Sequence, residues 1–192
     1  MSSKFDESLG MCGKMGKAIC LFQLYRERGE EEWKEQAEKL LANILDKCNK
    51  KTPFSYGFGV CGVGVGIEWL IQQKFIEGNA NDLLIEIDVL AIKMIESRPA
   101  IEANIQHGLL GLACYLYHRL YYQKNEETYT VLILKEQTLY LIDWLADTLQ
   151  DSTVKKDYYE FYFVLILLHQ LDICNAKVKN LLEWCDKEIS NY

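Results

Sequence analysis

Three residues carry most of the chemistry this sequence could offer. His107 stands immediately before Gly108, Cys12 immediately before Gly13, and Cys61 two residues after Gly59. An imidazole at a helix start can serve as a metal ligand or a general base. Two thiolates and an imidazole could hold zinc with its fourth position open. Cys12, Cys61 and His107 are the metal set that the residue types allow, but their spacing matches no metal signature. No cofactor is therefore expected, and zinc on these three residues is the alternative. His107 is the candidate catalytic residue. Its competing role is a helix-start histidine bonded to backbone or water.

Other chemistry is poorly served. The seven cysteines are odd in number and include no CxxC, which suits reduced core thiols in a cytoplasmic protein. Gly57-Phe58-Gly59-Val60-Cys61-Gly62 satisfies G-x-G-x-x-G. A dinucleotide site needs a strand before that motif, and Lys50-Lys51-Thr52-Pro53 precedes it here. A net charge of −7 argues against a nucleic-acid partner, because phosphate binding needs clustered Lys and Arg. No membrane partner is expected either, since no apolar run approaches the ~20 residues that span a bilayer. The opening residues show no apolar leader core.

The elements that must position these residues repeat along the chain. The chain has 192 residues, 49% of them hydrophobic, with two prolines. Scarce proline suits long helices. Gly13-Lys14-Met15-Gly16, Gly59-Val60-Cys61-Gly62 and Gly108-Leu109-Leu110-Gly111 lie 46 and 49 residues apart, and each runs into an apolar stretch. A further step of 49 reaches Asp157, before Tyr158-Tyr159-Glu160-Phe161. Amphipathic segments alternate with these stretches, as in Trp33, Ala37, Leu40, Leu41 and Ile44.

The pattern predicts an all-α protein of eight helices in four hairpins. The expected spans are 10–27/30–49, 59–76/79–97, 106–122/126–149 and 157–172/175–190. They form a single domain, 1–192, shaped as an α/α toroid-like arc. The glycines are expected to let inner helices approach closely, with their first N–H groups facing a shared centre.

At these residues the sequence resembles the lanthionine synthetase C-like family, whose inner helices begin with Gly-x-x-Gly and an apolar run. The matching stretches are Gly13 to Phe22, Gly59 to Ile71 and Gly108 to Leu120. The resemblance implies an α/α toroid, closed in the family from more hairpins than the four counted here. It also implies a zinc ion that activates a peptide cysteine for addition to a dehydrated serine or threonine.

The zinc ligands of that family are not reproduced. Gln106-His107 stands where the family has a Cys-His pair, and Phe54-Ser55-Tyr56-Gly57 where it has a Trp-Cys-Tyr-Gly-like run. His107 alone carries over, and one imidazole cannot hold a catalytic zinc that takes three protein ligands.

The resemblance therefore implies a non-catalytic peptide- or protein-binding component of a peptide natural-product modification system. Met11, Cys12, Gly57, Phe58, Gln106 and His107 would line its centre. A zinc-dependent lanthionine cyclase with rearranged ligands is the alternative, and a helical-repeat scaffold the second. The aromatic group Tyr158, Tyr159, Phe161, Tyr162 and Phe163 suits a buried inner helix, a peptide surface or self-association. An exposed terminal repeat bearing it would favour a homodimer.

Overall fold

The computed structural model describes residues 7–191. Among these the chain is helical, with an isolated parallel bridge between Ala103 and Lys156 in place of any sheet. The helices are α1 (Lys14–Arg28), α2 (Glu31–Lys47), α3 (Val60–Gln72), α4 (Ala80–Leu83), α5 (Ile85–Ser97), α6 (Leu109–Tyr121), α7 (Tyr129–Gln150), α8 (Tyr158–His169) and α9 (Asn175–Ser190). The all-α expectation holds. None of these helices is long and apolar enough to cross a membrane. The chain divides into two compact units between Ile87 and Asp88.

Local sequence explains where the helices start and stop. Gly29 ends α1 in the left-handed region at φ 73°, and its N–H donates to Tyr25 O at 2.8 Å. That conformation strains any residue with a Cβ. Glu31 and Glu32 open α2 and Lys47 closes it, each charge opposing the local end of the helix dipole. Side chains cap three starts. Asn79 Oδ1 accepts from Asn81 N–H at 2.9 Å, Thr128 Oγ1 from Val131 N–H at 3.4 Å, and Asp157 Oδ1 from Tyr159 N–H at 2.9 Å. Each satisfies a donor that the first helical turn leaves unpaired.

In the first unit α1 packs along α2 and against α3. Its core includes Met15, Ala18, Phe22, Ala37, Ile44, Val63, Leu70 and Leu84. Gly66 lets α3 close on α1, since a Cβ there would stand 2.2 Å from Met15 Cγ. In the second unit α6 packs against α7 and α8, and α8 along α9. Leu110, Leu116, Leu141, Phe161, Val164, Leu168 and Val178 are fully buried there.

Two boundaries differ from the sequence expectation. The segment 79–97 is expected as one helix, but it breaks at Leu84 into α4 and α5. Phe75 and Ile76 continue the apolar period of α3, yet α3 stops at Gln72. Lys74 takes φ 60°, and Phe75 N–H folds back onto Leu70 O at 2.9 Å, the helix-ending pattern of a left-handed C′ residue. The Phe75 ring then lies 5.2 Å from Phe22 and 5.6 Å from Trp69, with the Arg26 guanidinium 3.9 Å over it.

Candidate functional site

The inner helices α1, α3 and α6 begin with one repeated device. Gly13, Gly59 and Gly108 are the residues before them, all at φ near −130°. In each case the lead-in loop doubles back beneath the helix start and presents a carbonyl to it. Lys14 N–H donates to Ser8 O at 2.9 Å, Val60 N–H to Pro53 O at 3.0 Å, and Leu109 N–H to Glu102 O at 2.9 Å.

The same carbonyls lie where a Cβ on the glycine would go. They would stand 2.4, 1.8 and 1.7 Å from it at Gly13, Gly59 and Gly108. The second glycine meets another lead-in carbonyl, Met11 O at Gly16 and Tyr56 O at Gly62.

This gives the Gly-x-x-Gly motif a physical cause that differs from expectation. The lead-in loop demands these glycines, and its carbonyls take N–H groups that were expected to face a centre. Met15 N–H goes to Leu9 O at 3.1 Å, and Gly62 N–H to Ser55 O at 3.2 Å.

Within each unit neighbouring lead-in loops lie side by side. In the first, Leu9, Met11 and Cys12 donate to Phe58, Tyr56 and Gly57 carbonyls at 3.3, 3.0 and 2.8 Å. Met11, Cys12, Gly57 and Phe58, four of the six residues expected to line a centre, are thereby neighbours in the first unit. Cys12 is exposed, whereas Cys61 is buried inside α3.

In the second unit Ala103 pairs with Lys156, and Ile105 N–H donates to Glu160 Oε2 at 2.9 Å. Gln106 and His107 sit exposed on the lead-in turn to α6, where His107 N–H donates to Asn104 Oδ1 at 2.8 Å. Among the described residues no three His, Cys, Asp or Glu side chains are grouped to hold a metal.

The mouth of the second unit is a groove of about 760 Å³, within the ~300–1,000 Å³ range of ligand pockets. The two lead-in segments bound it through Glu102, Asn104, Lys155 and Asp157. Val154, Tyr158, Tyr159 and Ile189 supply apolar surface. Two carboxylates are held in place: Asp157 by capping α8, and Glu160 by its bond to Ile105 N–H. Lys156 Nζ is turned onto the carbonyls of Leu149 (3.0 Å) and Asp151. The arrangement offers hydrogen-bonding edges beside an apolar floor, as peptide recognition uses. Tyr158 and Tyr159 were singled out from sequence. Glu102 and Glu160 were not, and no local pattern marks them.

A second polar cluster lies inside the same unit. Asp88 on α5 receives Arg119 Nε on Oδ1 at 2.9 Å and Arg119 Nη2 on Oδ2 at 2.8 Å. Tyr115 Oη donates to Asp88 Oδ1 at 2.6 Å. Arg119 and Tyr115 are 0% exposed. Sequence reasoning passed over this cluster, although an arginine inside the apolar run of α6 was the available signal. The fork geometry consumes both carboxylate oxygens, so the cluster holds α5 on α6.

Compared with known proteins, the chain matches no family model, no curated protein and no solved structure.

Proposed function

We propose that the chain is a lanthionine synthetase C-like protein without the usual zinc ligands, and that it binds peptide in a peptide-modification system without catalysing cyclisation. The observation that supports this reading is the groove at the mouth of α6 and α8. Two lead-in segments flank an apolar floor there, with oriented carboxylates at the edge. The repeated glycine starts at Gly13, Gly59 and Gly108 fit the family scaffold. Gln106 and Ser55 stand where its thiolate ligands would be. A thiol-addition enzyme needs its metal to make the thiolate, so a scaffold with those residues is suited to holding a peptide for another enzyme.

Panning a displayed library of random linear peptides against the protein tests this. Enrichment of a peptide class that is lost in Val154→Glu and in Ile189→Glu supports the groove. No enrichment, or binding untouched by both variants, sinks it. Elemental analysis of protein purified without chelator decides between this reading and the cyclase. One zinc per chain, lost in Cys12→Ala, would replace the binding protein with a metal-dependent enzyme.

A further inference from the structure

The groove at the mouth of α6 and α8 holds its carboxylates and its lysines differently. Its charged lining residues are Glu102, Lys155, Lys156, Asp157 and Glu160. Each carboxylate is fixed through one oxygen. Glu102 Oε2 accepts from Asn104 Nδ2. Asp157 Oδ1 accepts from the N–H groups of Tyr159 and Glu160 at 2.9 and 3.3 Å, and Glu160 Oε2 from Ile105 N–H at 2.9 Å. A carboxylate has about four acceptor sites, so the other oxygen of each is left to accept from a ligand. The donors are committed elsewhere. Lys156 Nζ lies on the carbonyls of Leu149 and Asp151, and the Asn104 amide serves Glu102 and His107 N–H. Lys155 is exposed.

The placing of Glu160 adds to this. It stands three residues after the cap Asp157, where a glutamate usually reaches back to the N–H of the cap residue. Here it reaches across to the other lead-in segment. Asp157 and Glu160 are thus side by side at the start of α8, at the spacing that makes like charges repel. The helix end offsets part of that repulsion, and a cation set between the two would remove the rest.

We propose that the groove takes an arginine side chain of a linear peptide, with the guanidinium on Asp157 and Glu160 and an adjoining apolar residue on Val154 and Ile189. This rests on the peptide reading of the groove and names the class of peptide. A guanidinium offers five donors in a flat fork, the complement of carboxylate oxygens already oriented by the frame. Tyr159, 68% exposed beside them, offers a ring face to the same cation. Val154 and Ile189 are half-buried and suit an aliphatic neighbour. An acidic peptide would add its charge to three carboxylates. The net −7 of the chain also speeds the approach of a cation.

The test starts from a displayed library of random linear heptapeptides, whose enriched members should carry arginine beside an apolar residue. The most enriched peptide is then synthesised with arginine, citrulline or lysine at that position and titrated by fluorescence anisotropy. Citrulline keeps the shape of arginine without its charge, and should weaken binding about tenfold or more. Lysine should weaken it less, since an ammonium keeps the charge and loses the fork. Glu160→Gln and Asp157→Asn keep an acceptor for each framework bond and remove a charge, so far-UV circular dichroism should stay unchanged. Each should weaken the arginine peptide about five- to tenfold and leave the citrulline peptide nearly unaffected. Glu127→Gln removes an equal charge before the far end of α7, whose 22 residues span about 33 Å, and should change neither.

Enriched peptides without arginine, or equal binding of the arginine and citrulline forms, would overturn the arginine proposal and leave the peptide reading standing. So would an equal loss in Glu127→Gln and Glu160→Gln, which would mean attraction to the whole acidic chain. No enrichment at all would overturn both.

Discussion

Arg119 grips Asp88 with two parallel hydrogen bonds, at 2.9 and 2.8 Å, where neither side chain is open to solvent. Breaking such a pair leaves one buried charge without a partner, and costs about 3–5 kcal/mol. Arg119→Met and Asp88→Asn are each expected to lower stability by that order, measured by urea unfolding. The double substitution should cost less than the two singles added, because no charge is then stranded. Additive losses would show that the two side chains act independently. Arg119→Lys should fall near Arg119→Met, since a single ammonium cannot reproduce the fork.

The glycine starts give a contrast within one residue type. Gly59→Ala and Gly108→Ala place a Cβ within 1.8 and 1.7 Å of a backbone carbonyl oxygen. Backbone cannot step aside as a side-chain tip can, so each should destabilise by about 2–4 kcal/mol. At Gly29 a Cβ meets open space. The strain there is that of φ 73° alone, about 1 kcal/mol. Thermal unfolding of the three variants ranks these costs. Equal losses at all three positions would mean that conformational freedom, and not the close carbonyl, places glycine at the helix starts.

Helices were legible here because their burial is periodic. Trp33, Ala37, Leu41 and Ile44 announce α2 before any coordinate is known, and Asp157 announces the start of α8. The apolar period predicts the first inner helix from residue 10, and the helix begins at Lys14. The period reports which residues are buried, not whether the backbone before Gly13 has already turned. The same blindness hid the groove. Glu102 and Glu160 line one groove from 58 positions apart in the chain, and no local pattern links them. Arg119 was missed because a charged residue in a helix suggests solvent. Its position four residues after Tyr115, inside a run otherwise buried, was the contrary signal.

Lys74 occupies a left-handed position, φ 60°, at the end of α3. Lys74→Gly removes that strain while keeping the bond from Phe75 N–H to Leu70 O. The glycine also loosens the unfolded chain, which offsets part of the gain. The expected net effect is a stabilisation of a few tenths to about 1 kcal/mol, read as a higher urea midpoint with an unchanged slope. A loss would show that the Lys74 side chain contributes packing that exceeds its backbone strain.

The thiols divide by burial, and the division has a pH signature. Burial pushes Cys114 up to about 12, with the charge of Glu160 adding to it, and Cys185 up to about 11. Both side chains are inaccessible. Iodoacetamide at pH 8 should therefore label Cys12, Cys20 and Cys174, which are exposed, and spare Cys114 and Cys185 in the folded chain. The same two thiols tie stability to pH. In the unfolded chain they lose protons near the ordinary value of 9, while in the folded chain they keep them. Their contribution is intact below pH 9. Above it the unfolded state binds fewer protons, so stability falls by up to about 1.4 kcal/mol per pH unit for each thiol. The decline should continue to about pH 11 for Cys185 and about pH 12 for Cys114. Unfolding in urea between pH 8 and 11 tests this, with Cys114→Ala as the control. The substitution lowers stability at pH 8 by opening a small void, and it should flatten the alkaline slope. A slope unchanged in Cys114→Ala would mean that other groups, such as Tyr117, carry the alkaline loss.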